Sequence, residues 1–438
     1  MSLLERPEAQ ELLKDATMSP RTVRGCGERL TEYLGRYLPL FYREEQRQHL
    51  RLAVEGRLSG LERKTSEPIA RQAGLPRRAL QRFVGAGEWD DEAVMAKMRG
   101  QVCEELADAN GVLVLDPSSF PKKGKDSCGV QRQWCGRLGK TDNCQVGVFL
   151  AYAGAKGHAP LDRRLYLPKS WAKDKKRREQ AYVPKSVKYQ AKWQIGLELI
   201  ERNRAVPHAW VTGDDEFGRV AEFREALREE GEPYVLDVPC NTLVRDLDER
   251  VRRRAGKRPR KPPFRRVDSW LARQPANRWQ EIEIRAGEKG PLKGKAIRAR
   301  VQTRTKGRVG SEECLVVIRT MGAEPRTHYT LSDASPRVPT TEVVRAHAER
   351  HRIEETLQEG KGEVGLGHYE VRSWTGWHHH ITLCFLALLF LVLEKLRLGK
   401  KNTGRHGLPG AGDLHGTAPS ATADLRGNRQ KSERSPAA

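Results

Sequence analysis

The sequence feature that most constrains the fold is a short apolar run that ends in an acid. Residues 111–115 read GVLVL, and Asp116 and Pro117 follow directly. A near-continuous apolar run of this length is typical of a strand that is buried on both faces. A carboxylate at the end of such a strand costs free energy unless it has a partner or a chemical role. We therefore expect a sheet with covered faces and a function for Asp116.

Further strands follow along the chain, and helices separate them. The predicted elements are strands at 145–152, 161–168, 209–212 and 234–238, with helices at 187–204 and 219–230. The order βββαβαβ is that of an α/β fold. Asp214 and Asp215 come just after the strand at 209–212, and Phe217 and Gly218 lead into the next helix. Acids thus follow two strands of the predicted sheet.

A third acid lies on a helix that is predicted near the end of the folded region. Residues 343–361 read VVRAHAERHRIEETLQEGK, and their apolar residues recur at the spacing of one amphipathic helix. Because each residue turns a helix by about 100°, Arg350, Glu354 and Lys361 fall on nearly the same face. A solvated, salt-bridged surface is the alternative interpretation of this pattern.

The first part of the chain, residues 1–95, is predicted to be helical and to contain a helix-turn-helix. Residues 68–87 read PIARQAGLPRRALQRFVGAG, in which Gly74 separates a short helix from a second one. This pattern is typical of DNA-binding helix-turn-helix units, and a plain helical hairpin has the same signature. In the DNA-binding interpretation three arginines of the second helix contact phosphates. They are Arg77, Arg78 and Arg82.

The charge of the chain predicts a polyanionic partner. The 438 residues contain 80 Lys and Arg against 57 Asp and Glu, which gives a net charge of +23. Nucleic acid is the simplest partner for such an excess. The basic segments 169–178 and 252–266 are expected to face DNA, as are three lysines after the first strand. These are Lys122, Lys123 and Lys125.

Cysteine usage and hydropathy favour a cytoplasmic protein that does not cross a membrane. The eight cysteines form no CxxC pair, so we expect reduced thiols and neither a disulfide framework nor a structural zinc site. The start of the chain has no apolar signal core. The apolar run 381–393 is too short to span a bilayer and predicts a buried helix. The preceding histidines, 378–380, point to different sides of a helix and are not expected to share a metal.

These patterns divide the chain into five parts. Helical residues 1–95 precede the first part of an α/β core at 96–240, and a β-rich basic insertion at 241–338 follows. Residues 339–398 complete the core with the Glu354 helix and the apolar helix, and 399–438 are predicted to be disordered because they lack an apolar period.

The three acids suggest a metal-dependent reaction on phosphate groups. Hard divalent cations such as Mg²⁺ prefer carboxylate oxygens. Two such ions can stabilise both the attacking and the leaving oxygen in phosphoryl transfer, provided that rigid elements hold the carboxylates. Asp116, Asp214 or Asp215, and Glu354 are the candidates, with Arg350 and Lys361 available to hold a phosphate. Each acid taken alone is more typical of a surface carboxylate.

Three motifs in this order resemble those of the DDE transposases of bacterial insertion sequences, which have a ribonuclease H-like catalytic core. The motifs are VLVLDPSSFPKKGKDSCGVQRQWCGRLGKTDNCQVGVFLAY, VTGDDEFGR and RHRIEETLQEGKGEVGLGHYEVRSWTGW, and the resemblance covers roughly residues 20–395. Arg350, Glu354 and Lys361 keep the spacing of a Tyr-x2-Arg-x3-Glu-x6-Lys signature found in one branch of these proteins. His347 stands at the tyrosine position, which is a departure from the family pattern. In the second motif the family places an aromatic residue three positions after the acid, so Phe217 selects Asp214 over Asp215.

The resemblance implies a chemical role for each of these residues. Asp116, Asp214 and Glu354 would bind two Mg²⁺ ions, with Mn²⁺ as a substitute, and Asp116 would be shared by both ions. The enzyme would nick DNA at the element's ends with water and then join the freed 3′-hydroxyl to target DNA. His347, Arg350 and Lys361 would contact phosphates. Double-stranded DNA would be the partner of a homodimer in a synaptic complex, in the cytoplasm of a bacterium, at its nucleoid.

Two other functions are consistent with part of the sequence. A DNA-binding regulator without catalysis would use the helix-turn-helix alone, although it would have no need for an acid at a buried strand end. A stand-alone metal-dependent nuclease of the same fold would cut DNA without strand transfer. Four tryptophans could stack on a flipped base, although such residues more often belong to a core. They are Trp134, Trp171, Trp193 and Trp374.

Overall fold

The computed structural model describes residues 25–249, 261–285, 290–321 and 324–398. The predicted disordered tail 399–438 lies outside the described residues, as do residues 252–260 of the second basic segment. In the rest of the chain the structure is a mixed α/β fold, with helices first and one large sheet after them.

The N-terminal part is helical from residue 25 onwards, as the sequence predicts, while residues 1–24 of that prediction lie outside the described residues. Its helices are α1 (Cys26–Gly35), α2 (Glu44–Leu58), α3 (Ser66–Gln72), α4 (Arg77–Ala86) and α5 (Asp91–Leu106). Asp90 caps α5 through hydrogen bonds that its carboxylate accepts from the backbone N–H groups of Glu92 and Ala93. The apolar faces of these helices belong to the same hydrophobic core as the sheet that follows.

The sheet has twelve strands in the described residues. They are β1 (Val112–Pro121), β2 (Gln131–Cys135), β3 (Lys140–Gly154), β4 (Gly157–Leu165), β5 (Trp210–Gly213), β6 (Tyr234–Asp237), β7 (Leu243–Asp246), β8 (Arg265–Arg266), β9 (Gln280–Arg285), β10 (Leu292–Thr305), β11 (Arg308–Thr320) and β12 (Thr327–Ser332). The strand order is β2-β3-β1-β5-β6-β12-β11-β10-β7-β8, with β4 beside β3 and β9 beside β10. β1, β5 and β6 are parallel to one another, whereas β3 and β4 run antiparallel to their neighbours.

The first strand extends further than the sequence suggests, and this corrects the prediction that Asp116 lies at its end. β1 continues to Pro121, so Asp116 lies in its middle. Pairing with β5 nevertheless stops at Leu115, opposite Gly213. From Asp116 onwards β1 pairs only with β3, and an edge position of this kind tolerates the missing N–H of Pro117.

Short helices connect the strands of the first half of the sheet. They are α6 (Lys169–Ala172), α7 (Lys175–Gln180), α8 (Lys192–Arg202), α9 (Asp215–Gly218) and α10 (Ala221–Glu229). α9 packs so closely on β6 that a Cβ atom added at Gly218 would lie 1.9 Å from the backbone oxygen of Asp237. This glycine therefore allows the segment after Asp214 to lie directly against the end of β6.

The segment 241–338 is rich in strands, as expected. It contains β7 to β12 and the short helix α11 (Val267–Leu271). β12 pairs with β6, so these strands continue the same sheet. A second hydrophobic cluster around Trp270 and Val301 covers one face of this extension.

The predicted helix 343–361 is divided in two at Glu349, which is a correction. The observed helices are α12 (Thr340–Ala348) and α13 (Arg350–Gly362). Glu349 leaves the regular helical pattern, and its carbonyl accepts a short-range hydrogen bond from the N–H of Arg352. The division lets α12 lie on β5, β6, β9 and β11, while α13 lies on β1, β3 and β4.

The final helix, α14 (Trp374–Leu398), is buried along most of its length, as the apolar run predicts. Its three adjacent histidines point to separate partners, also as predicted: His378 faces the carbonyl of Trp374, His379 those of Val84 and Trp89, and His380 that of Leu366. None of the described helices is long and apolar enough to cross a membrane. All eight cysteines are free thiols.

Candidate active site

The sheet brings two of the candidate acids together. Leu115 of β1 and Gly213 of β5 are opposite each other in parallel register. Asp116 directly follows Leu115, and Asp214 directly follows Gly213. Neighbouring strands lie about 4.8 Å apart, so the backbones of the two acids are adjacent. Asp214 caps α9 by accepting a hydrogen bond from the N–H of Glu216 at 3.1 Å.

Helix α13 brings the third acid to the same place. It packs across β1, with Ile353 and Leu357 buried beneath it. The carboxylate of Glu354 interacts with that of Asp116 strongly enough to raise the pKa of Asp116. The three acids that the sequence analysis selects therefore form one cluster.

The protonation of this cluster reflects burial and like charge. Burial raises the pKa of Asp116 well above its usual value, and the neighbouring carboxylates of Asp214 and Glu354 raise it further. Burial, Glu216 and Asp215 raise the pKa of Asp214 to about 6. A hydrogen bond from His351 lowers the pKa of Glu354, although burial opposes this effect. The two aspartates thus favour a proton or another positive charge nearby.

Two cations of α13 lie beside the acids, at the positions predicted from the sequence. The Arg350 guanidinium donates to Glu354 Oε1 at 3.0 Å and contacts Asp237 Oδ2 at 3.1 Å. The Lys361 ammonium donates to the hydroxyl of Ser118 on β1 at 2.9 Å. Burial lowers the pKa of Lys361, while Asp116 raises it. Both cations are therefore fixed next to the cluster by groups on other elements.

His347, which was expected to contact phosphate, instead faces the interior. Its side chain is 7 % exposed, and its Nε2 lies 2.9 Å from Asp237 Oδ1. Asp237, the last residue of β6, also lies 4.0 Å from His328 Nδ1. Burial alone would raise the pKa of Asp237, but His347 and Arg350 outweigh this effect and hold that pKa below its usual range.

The donor atoms of Asp237, His328 and His347 all lie within 4.8 Å of one another, which is close enough for a metal ion. However, the Arg350 guanidinium already contacts the same carboxylate at 3.1 Å. This arginine supplies the positive charge that Asp237 requires. We therefore interpret the cluster as an ion-paired support for Arg350.

The adjacent residues Asp214 and Asp215 have different surroundings. Asp215 is partly exposed and forms an ion pair with Arg219, whereas the charge of Asp214 interacts with those of Asp116 and Arg350. Phe217 is fully buried behind Asp214 and contacts Phe223. The choice of Asp214 from the position of Phe217 stays a prediction.

The lysines after β1 differ in their surroundings. Lys122 is held in place: its ammonium donates to the carbonyl of Tyr369 at 2.8 Å and lies 4.4 Å from the centre of that ring. Burial lowers the pKa of Lys122 to about 8. This lysine anchors the segment before α14, which differs from the predicted phosphate contact. Lys123 and Lys125 are exposed, as a contact with DNA requires.

The predicted helix-turn-helix consists of α3 and α4. The buried face of α4 is formed by Leu80, Phe83 and Val84, while Arg78 and Arg82 are exposed. Arg77 is also exposed, but it forms an ion pair with Glu67 of α3 at 3.3 Å. Arg78 and Arg82 therefore have the fewest constraints on contact with a phosphate.

The basic segment 169–178 is partly structural. Arg177 stacks on Trp171 at 3.8 Å, and Arg178 donates to the carbonyls of Pro184 and Val187. The remaining cations of the segment are exposed. They are Lys169, Lys173, Lys175 and Lys176.

The four tryptophans considered for base stacking differ in their exposure to solvent. Trp171 and Trp374 are buried, and Trp193 is partly buried. Trp134 is 61 % exposed, on β2. Only this one of the four presents its indole to solvent.

Sequence reasoning did not identify Asp237, Ser118 or His351. His351 lies between Glu354 Oε2 at 3.4 Å and Glu355 Oε1 at 3.2 Å, and these two carboxylates raise its pKa to about 9. An acid inside the apolar strand 234–238 was the available signal for Asp237. Nothing in the sequence indicates that Ser118 and Lys361, 243 positions apart, are partners.

Two comparisons with known proteins bear on the family of this chain. A curated relative from Microchaete diplosiphon, the "Probable transposase for insertion sequence element IS701", is 28% identical over 280 residues, which cover 63% of this chain and 69% of the relative. The family model of the DDE superfamily endonucleases matches residues 36–300, more than half of the chain. This chain belongs to the DDE superfamily endonuclease family.

Proposed function

We propose that this protein is a DNA transposase that cuts the ends of an insertion sequence and joins them to target DNA. The observation that carries the proposal is the cluster of Asp116, Asp214 and Glu354, in which the pKa values of both aspartates are raised. Perturbed acids of this kind concentrate at functional sites. Similarity to a probable transposase supports the choice of transposition within the endonuclease family.

The architecture proposed for the core is ribonuclease H-like. The strand order β4-β3-β1-β5-β6, with β3 antiparallel and β5 and β6 parallel to β1, supports this assignment. The proposed division of the chain keeps the expected boundaries, with residues 1–95 as a helical DNA-binding region and the β-rich insertion at 241–338. In this arrangement the three acids come from the two halves of the core.

The donor set fits divalent cations. Asp116, Asp214 and Glu354 supply only carboxylate oxygens, which are the ligands that Mg²⁺ and Mn²⁺ prefer. Burial and the charges of Asp214 and Glu354 together raise the pKa of Asp116, and a cation among these carboxylates would offset both effects. When bound, two such ions would polarise the attacking oxygen and stabilise the leaving oxygen at the scissile phosphate.

The other residues of the site would hold the DNA. Lys361 is fixed on Ser118 beside Asp116, at a position suited to a non-bridging phosphate oxygen. Arg350 links Glu354 to Asp237 and keeps the helix that carries Glu354 in place. The exposed cations of α4 and of the segment 169–178 would contact the duplex further away.

A cleavage assay tests the catalytic part of the proposal. Supercoiled plasmid and a duplex carrying the DNA that flanks the gene are incubated with protein and Mg²⁺, with EDTA as the blank. We expect Asp116→Asn, Asp214→Asn and Glu354→Gln each to lower cleavage at least about 100-fold, since each removes a charge that the transition state requires. DNA binding, measured by fluorescence anisotropy, should change little.

Two neighbouring acids provide matched controls. Asp215→Asn and Glu355→Gln change the same charge one position away, on side chains that are paired with Arg219 and Arg352. We expect both variants to cleave DNA at a rate close to that of the parent protein. Equal losses for Asp214 and Asp215, or for Glu354 and Glu355, would contradict the assignment of the site.

Strand transfer separates the transposase from its alternatives. In the proposed function, a labelled fragment with a free 3′-hydroxyl becomes covalently joined to the plasmid, and the reaction requires Asp116. Cleavage without joining would indicate a nuclease of the same family. Binding without either reaction would indicate a regulator. A complex that holds two fragments would support the expected homodimer.

A further inference from the structure

A hairpin beside the candidate site exposes an unusual combination of side chains. β2 and the turn that follows it, residues 131–140, place Trp134 at 61 % exposure and Leu138 at 44 %. Arg132 and Arg137 are exposed on the same hairpin. Within the described part of the chain, neither arginine forms an ion pair. The hairpin therefore presents an aromatic face together with two cations that have no carboxylate partner.

The hairpin is hydrogen-bonded to β1 and lies next to the proposed DNA-cutting cluster. The backbone N–H of Arg137 donates to the hydroxyl of Ser119 at 3.3 Å, and the thiol of Cys135 donates to the same hydroxyl at 3.4 Å. Ser119 follows Ser118, the partner of Lys361. Arg137 is also close enough to contribute to the lowered pKa of Lys361, after burial and against the effect of Asp116. The tip of the hairpin therefore continues the row of cations that begins at Lys361.

We propose that this hairpin binds unpaired DNA next to the phosphate held at the acidic cluster. In this arrangement a base stacks on Trp134, while Arg137 and Lys361 contact consecutive phosphates. The assignment rests on the proposed function, because that function places a DNA strand at Lys361. Stacking on an aromatic side chain combined with neighbouring cations is the general mode by which proteins bind single strands. The free positive charges favour DNA over an apolar protein partner.

Equilibrium binding tests this surface without a contribution from cleavage. All variants are made in an Asp116→Asn background, and fluorescence anisotropy compares a blunt duplex with the same duplex carrying a short single-stranded extension. We expect the extension to improve the affinity of the parent about tenfold. Trp134→Ala should abolish this preference, and Trp134→Phe should keep most of it. Arg137→Ala should reduce it about threefold.

Tyr42→Ala is the matched control, since Tyr42 is an aromatic residue that is 93 % exposed on the N-terminal helical part. It should keep the full preference for the extended duplex. The surface assignment is overturned if Trp134→Ala keeps that preference while remaining folded by thermal melting. It is equally overturned if Trp134→Ala changes only the oligomeric state of the DNA-free protein, since this would identify a protein contact. Absence of cleavage by the protein that retains Asp116 would contradict the proposed function and leave this binding result standing.

Discussion

At the scale of single residues, Asp237 explains how the site keeps Arg350 in a fixed position. Its carboxylate contacts Arg350 at 3.1 Å and His347 at 2.9 Å, and Arg350 in turn contacts Glu354. The branch signature that the sequence resembles has a tyrosine where this chain has His347, and in this structure the histidine contacts Asp237. We interpret Asp237 as a positioning residue that acts on Glu354 through Arg350.

Asp237→Asn should therefore slow cleavage at least about tenfold through kcat, with little change in KM, because the DNA still binds elsewhere. The free energy of unfolding should fall by about 3 kcal/mol, since Arg350 loses the carboxylate of a largely buried pair. Asp237→Glu should restore part of kcat. Asp248→Asn, at an exposed carboxylate paired with Arg300, is the control and should change neither quantity. A parallel rise in KM would contradict the positioning role.

Asp214 leads to a prediction about pH. Its pKa is raised from 3.8 to about 6, mainly by burial, so the folded protein binds this proton more tightly than the unfolded chain does. The resulting stability is fully present below pH 3.8 and is lost as pH rises through about 6. In EDTA, Asp214→Asn should therefore stabilise the protein at pH 8 by on the order of 2 kcal/mol, and much less at pH 4. Urea unfolding measures this difference, and an equal gain from Asp215→Asn would refute the explanation.

At the scale of elements, the sequence predicts the strands that carry acids better than it predicts their ends. The apolar run 111–115 identifies the half of β1 that is paired on both sides. The second half of β1 has a more polar sequence, which resembles that of a loop, because this half pairs with β3 alone. The division at Glu349 was not predictable from periodicity, since Ala346, Ile353 and Leu357 recur at helical spacings of seven and four across it. Asp237 was missed because its partners, His347 and Arg350, lie more than 100 residues away in the sequence. Contacts of this range depend on the packing of α12 and α13 on the sheet.

One element contact joins the N-terminal helices to the helix that carries Glu354. The Lys64 ammonium is buried and donates to the carbonyls of Arg57, Ser59 and Glu363 at 2.8, 2.6 and 2.5 Å. These carbonyls lie at or just beyond the ends of α2 and α13, where helices leave their last carbonyls without partners. Lys64 therefore fixes the end of α13 against α2.

Lys64→Met keeps the length of the side chain and removes its three hydrogen bonds. We expect a loss of about 3 kcal/mol in the free energy of unfolding, because three buried carbonyls lose their donor. Hydrogen–deuterium exchange should accelerate at the end of α2 and around residues 360–366, and remain unchanged in β1 and β3. Lys97→Met, on the exposed face of α5, is the control. Uniform acceleration over the whole chain would indicate global destabilisation without a specific coupling.

At the scale of the whole molecule, the net charge of +23 is not all available to DNA. Arg57, Arg163 and Arg224 are almost completely buried. Arg163 is paired with Asp91 and Glu92, and Arg224 with Glu313, so these charges stabilise the fold. The cations that can contact phosphates are those on exposed surfaces without a carboxylate partner. The contribution of each surface can therefore be measured by removing a few such residues.

The helix pair α3 and α4 gives the clearest case, because its apolar face is buried and its arginines point outward. Gly85 of α4 lies against Val371 near the start of α14, which fixes the orientation of the exposed face. If α4 binds the DNA backbone, the double variant Arg78→Ala with Arg82→Ala should lower the slope of log K against log salt by about 2. Anisotropy titrations over a series of NaCl concentrations measure this slope. Arg300→Ala should leave it unchanged, since that guanidinium is already paired with Asp248 and Glu312. An unchanged slope in the double variant would identify α3 and α4 as a helical hairpin with a structural role. The excess positive charge would then act through other exposed cations, such as the lysines of the segment 169–178.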